Sequence, residues 1–109
     1  MARSYKVLGQ INPTATTATT LYTVPGATQS VLSTISVCNF ANTAATYRIA
    51  IRPAGETLAN KHYVAYDSSL PANDTAVLTL GLTMNTTDIL TVYASTASVS
   101  FGVFGSEIS

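Results

Sequence analysis

The chain has 109 residues, with five basic and five acidic side chains and no formal net charge. No overall field therefore draws it onto nucleic acid or an anionic membrane surface. Charged residues make up only 9% of the sequence, against roughly 25% in an average soluble domain. Thr, Ser, Asn and Gln must keep the surface wet, and a near-neutral surface offers no like-charge repulsion between copies.

That length suits one domain over residues 1–109. Its first residues, MARSYKVLGQI, include basic side chains but no apolar stretch of secretory length, and no run approaches the ~20 residues of a membrane helix. The expectation is a product made in the cytosol and not inserted in a membrane. A small membrane barrel also fits poorly, since it calls for strands of about 9–11 residues and aromatic girdles.

Helical periodicity is nearly absent, whereas Thr, Val, Ile and Tyr recur in short runs broken by Gly, Pro, Asn and Asp, the pattern of pleated, half-buried strands. In chain order the expected strands are Tyr5 to Gln10, Thr20 to Val24, Val31 to Asn39, Thr46 to Arg52, His62 to Asp67, Ala76 to Leu82, Asp88 to Ala94 and Val99 to Phe104. The Thr-rich segment from Asn12, covering residues 12–19, reads equally as a flexible arm or loop and as the lead into a strand. In TYRIAIR, Tyr47, Ile49 and Ile51 share one face, and Arg48, Ala50 and Arg52 the other. VLTLGL and ILTVYA read as a hairpin joined by MNTTD, with Asn85 left-handed and Asp88 closing the turn. Its outer face is only mildly polar, so another chain is expected to cover it. About eight short strands at this spacing predict an all-β antiparallel sandwich, of jelly-roll or immunoglobulin-like type.

Chemistry finds little footing. His62 is the only histidine and Cys38 the only cysteine, so no internal disulfide forms; Cys38 reads as a buried structural thiol and His62 as a half-exposed strand residue. Glu56, Asp67, Asp74, Asp88 and Glu107 are spread singly, and the three aspartates lie beside turn signals where they accept backbone hydrogen bonds. RPAGET lacks the ending of a phosphate loop. The expectation is no catalytic residue, no cofactor and no metal. Arg48, Arg52, Lys61, Tyr47, Tyr63 and Tyr66 are of types that anchor interfaces, although their spacing alone marks no partner-binding site.

The segments YKVLGQ (5 to 10), TTLYTVPGATQSVLSTISVCN (19 to 39), RIAIRPAGETLANKHYVAYD (48 to 67), LPANDTAVLTLGLT (70 to 83) and TDILTVYASTASVSFGVFGSEI (87 to 108) together resemble short virion structural proteins of tailed bacteriophages, including those of cyanobacteria. The resemblance implies a non-enzymatic particle component, partnered by its own copies as a homo-oligomer and by capsid or tail proteins. It leaves capsid decoration and tail or fibre location both open. The alternative is a carbohydrate- or receptor-binding module of a tail fibre, with Tyr47, Tyr63, Tyr66 or Tyr93 stacking on sugar rings.

Overall fold

A computed structural model describes residues 3–79 and 81–109. Its strands are β1 (Arg3–Ile11), β2 (Thr19–Thr23), β3 (Gln29–Asn39), β4 (Ala45–Arg52), β5 (Tyr63–Leu70), β6 (Thr75–Leu78), β7 (Leu82–Met84), β8 (Ile89–Ala94) and β9 (Val99–Ile108), with single 3-10 turns at Pro53–Gly55 and Asn60–His62. All pairings are antiparallel. One sheet has the order β1-β9-β3-β6, with β7 also on β3, and the other the order β2-β8-β4-β5.

β7 lies opposite Ser30 to Leu32 and β6 opposite Ile35 to Cys38, so the two fill one strand position beside β3. Counted this way, each sheet has four positions, and every connection between positions except β4 to β5 crosses from one sheet to the other. That winding is a jelly roll. It decides between the two sandwich types open from sequence, because an immunoglobulin-like sandwich joins several consecutive strands within a sheet.

The core follows from the period of two along each strand. Leu32, Ile35 and Val37 of β3 and Val99, Phe101 and Val103 of β9 face Ile49 of β4, Leu70 of β5 and Leu90, Val92 and Ala94 of β8, all essentially removed from solvent. Each large side chain among them contributes about 1.5–3 kcal/mol through the water it sheds. The alternation in β4 is as expected, with Tyr47 and Ile49 inside and Arg48 and Arg52 outside. Ala50, on the outer side, is nonetheless buried: Tyr63 and Thr91 flank it across the sheet, and the Arg52 guanidinium reaches over to Thr91 Oγ1 at 3.3 Å.

The expected hairpin does not form. β7 belongs to the sheet of β3, whereas β8 lies between β2 and β4 in the other, so MNTTD is a crossover between sheets. Asp88 does close it, accepting from the Asn85 amide at 2.8 Å, but the left-handed residue is Thr87, with φ 69°, and not Asn85. The expected strand Ala76 to Leu82 is two short strands, interrupted where Gly81 has φ 61°; Leu80 of that run lies outside the described residues. Ser33 forms a bulge in β3 at the same level, so the ladder between β3 and its edge partner loses register there.

The connection from β1 to β2 is tied down. Asn12 Nδ2 donates to the carbonyls of Ala97 and Val99 at 2.9 and 2.8 Å, the Thr16 amide donates to Ala94 O at 2.8 Å, and Pro13 is buried. Two buried polar groups pin opposite ends of the sandwich. Asn39 donates through Nδ2 to the Thr43 and Pro71 carbonyls at 2.8 and 3.2 Å and accepts through Oδ1 from the Ala41 amide and the Ser98 hydroxyl. At the other end the Tyr22 hydroxyl donates to Glu107 at 2.5 Å and meets Ser30 Oγ at 2.6 Å. Burial, then the Glu107 contact, pushes the Tyr22 phenol up to about 12.

Candidate interaction surfaces

The residues able to do chemistry are not assembled into a site. Cys38 is half-buried on the outer face of the five-stranded sheet, opposite Thr75 and Ser100, which corrects the expectation of a buried thiol. His62 packs beside β4 of the other sheet. It is 5% exposed and ends a 3-10 turn, which corrects the expectation of a half-exposed strand residue. Its Nδ1 accepts from the Ala59 amide at 3.0 Å, so Nε2 carries the proton and donates to Glu56 Oε1 at 3.2 Å. Lys61 Nζ lies 3.5 Å from the same oxygen. The Glu56 carboxyl is held below its usual range, first by His62 and then by Lys61. This cluster staples its own loop. Among the described residues no group of three His, Cys, Asp or Glu side chains is placed to hold a metal ion.

The outer face of the four-stranded sheet gathers an aromatic and basic cluster. Arg48 of β4 stands beside Tyr93 of β8, and its guanidinium lies 4.2 Å from the centroids of both the Tyr93 and Tyr66 rings. Asp67 holds the same group with contacts of 2.6 and 3.3 Å from Nε and Nη2. Asp67 serves within β5, at φ 49°, and not in the turn expected from sequence. Tyr63 meets Tyr66 edge-on, with centroids 4.8 Å apart, and Asn60, Tyr63 and Tyr66 line a shallow hollow of about 290 Å³. Of the interface candidates read from sequence, Arg48, Tyr63, Tyr66 and Tyr93 meet here. Tyr47 points into the core at 5% exposed and is unavailable for stacking.

A second surface lies on the outer face of the five-stranded sheet. Tyr5 and Val7 of β1 are opposite Ser106 and Phe104 of β9, and Ser106 is in turn opposite Val31 of β3, so all five share that face. Tyr5 is 76%, Val7 51% and Val31 37% exposed. With Phe104 and the backbone at Gly105 they line an apolar hollow of about 460 Å³. Val77 of β6, 62% exposed, extends apolar surface toward the far edge, because it lies opposite Ser36 on the same side. Sequence alternation marked a mildly polar outer face, but placed it on VLTLGL and ILTVYA; β1 was not distinguished, because nothing in YKVLGQ tells which neighbour leaves it uncovered.

No family model and no curated protein matches the chain. Among solved structures it is similar to one described as the structure of infectious bursal disease virus Gt strain, with a TM-score of 0.52 and 14% identity. The match covers 97% of this chain and 30% of that one. At this identity the likeness shows the fold: a whole-chain, antiparallel two-sheet jelly roll that also occurs as one part of a larger viral chain.

Proposed function

We propose that the chain is a non-enzymatic structural component of a virion, of the tailed-phage kind that its sequence resembles. It is made in the host cytoplasm and assembles in many copies on the particle exterior, as a capsid decoration or a tail-associated part. The observation that carries this reading is the uncovered apolar face of the five-stranded sheet on a chain with few charged residues and no net charge. Exposed apolar surface of this kind marks a site of protein contact, and the near-neutral chain presents no repulsion to neighbouring copies. The jelly-roll fold and its likeness to part of a viral structure are in keeping with that role, although jelly rolls also serve lectins and cupins. The polar clusters point away from catalysis, since Glu56 with His62 and Arg48 with Asp67 spend their hydrogen bonds on their own loops and strands.

Quantitative mass spectrometry of purified particles tests the proposal. It should find the chain at tens of copies or more per particle, in fixed ratio to a capsid or tail protein. Absence from washed particles contradicts it.

A carbohydrate-binding role has one observation in its favour, the hollow between Asn60, Tyr63 and Tyr66. The Arg48 guanidinium already occupies a face of the Tyr66 ring and a face of the Tyr93 ring, which leaves little platform for a sugar. A glycan array with bound signal abolished by Tyr66→Ala would favour this second reading.

A further inference from the structure

The four sheet edges of this sandwich are not alike. β2 has five residues and a register shift between Thr20 and Tyr22. β5 has two register shifts against β4 and a left-handed residue at Asp67. The third edge is divided into β6, of four residues, and β7, of three. Short length, bulges, interruptions and edge lysines are means by which edge strands are kept from pairing with other chains. Over its first half β1 has none of the first three: it has nine residues, pairs only with β9 among the described residues, and keeps an unbroken register from Arg3 to Val7 before its single irregularity, and its one lysine there, Lys6, is ion-paired with Glu107. Arg3 to Val7 are all exposed, so neither face of this stretch is covered by the second sheet.

We infer that this edge is built to pair with the β1 edge of a second copy, antiparallel and about a twofold axis, joining two sheets into one. The residues make the strand complementary to itself. With Lys6 at the axis, Tyr5 of each copy lies opposite Val7 of the other on the outer face, an aromatic and β-branched cross-strand pair of the favourable kind. The two apolar hollows lined by Tyr5, Val7, Val31 and Phe104 then become continuous across the axis. On the opposite face the two Lys6 side chains come together, and like charges there would oppose pairing. Each, however, already lies 2.7 Å from the Glu107 carboxylate of its own copy, so the row runs Glu107, Lys6, Lys6, Glu107 and carries no net charge. Such a contact is closed and uses the same patch on both partners, as twofold interfaces do, while the unmade backbone bonds of an edge supply the attraction. The purpose of the pairing rests on the virion reading; its geometry does not.

The test uses the 109-residue chain. Sedimentation equilibrium should give a dimer that dissociates on dilution, and hydrogen exchange of the concentrated sample should protect the alternate amides of Arg3 to Val7 that point away from β9 at least about tenfold relative to the diluted one, with β2, β5 and β6 unchanged. Val7→Lys and Tyr5→Lys alter exposed positions, so circular dichroism and melting should stay native-like while dissociation becomes at least about a hundredfold easier; Val77→Lys on the far edge should leave the dimer intact. A concentrated wild-type monomer, a trimer, a dimer split by Val77→Lys but not by Val7→Lys, or dilution-dependent exchange at another edge would overturn the inference. Should the lysine variants fail to fold, exchange in the wild-type chain decides alone. A monomer that is nonetheless found in particles removes the pairing and leaves the virion reading; a β1-paired dimer absent from particles does the reverse.

Discussion

Asn39 lies 1% exposed at the end of β3, and its amide holds carbonyls from two different loops. Asn39→Ala empties a buried position of both its donor and its acceptor contacts, and should lower stability by about 1–2 kcal/mol, read as a shift in the urea midpoint. Arg48→Lys keeps the charge but loses the flat guanidinium that lies against two rings and grips Asp67. The melting temperature should fall, with the ring NMR shifts of Tyr66 and Tyr93 reporting the loosened cluster. Glu107 supplies an acid-sensitive contribution: Lys6 first and Tyr22 second hold its carboxyl below the ordinary 4.5. Because the folded value is the lower one, the stabilisation is complete at neutral pH and is lost as pH falls through the folded value. Urea midpoints measured from pH 7 down to pH 3 should therefore fall less steeply for Glu107→Gln than for the wild-type chain. Alternation alone was enough to point Arg48 outward. It did not reveal that Tyr66 and Tyr93 flank Arg48, because that depends on which strands are neighbours, and it did not reveal Asn39 as a clamp, because the loops it holds are brought to the end of β3 only by the fold.

At the scale of elements, seven of the eight expected strands occur close to their expected places, since β-branched and aromatic runs between Gly, Pro and Asn breakers report local backbone preference well. The eighth is divided. What periodicity leaves out is the partner: VLTLGL and ILTVYA have the alternation of a hairpin, yet β6 and β7 serve β3 while β8 serves β2 and β4. Close approach is equally hidden in sequence. At Gly105 of β9, a Cβ would stand 2.0 Å from the Val31 carbonyl oxygen of β3, a main-chain atom that yields only if the strand moves. Gly105→Ala should cost at least about 2–3 kcal/mol, whereas Gly26→Ala, where nothing stands within 4 Å, should change stability little. Parallel thermal melts of the two variants separate a packing requirement from a general effect of glycine replacement.

The whole molecule is an elongated block of 45 × 27 × 20 Å whose two broad faces differ. One carries the Arg48 and tyrosine cluster, with Tyr66 still half in water, and the other leaves Tyr5, Val7, Val31 and Val77 exposed, with no cation over them among the described residues. Low charge content leads to the expectation of association from composition, and the proposal places that association on the face of Tyr5, Val7, Val31 and Val77. The most direct measurement is a density map, by electron cryomicroscopy, of the intact particle that contains this chain. The proposal predicts repeated exterior densities into which this jelly roll fits, with the Tyr5 and Val77 face turned toward a neighbouring subunit. Exterior densities that exclude the fold, or that fit it with this face fully in solvent at every copy, would contradict it.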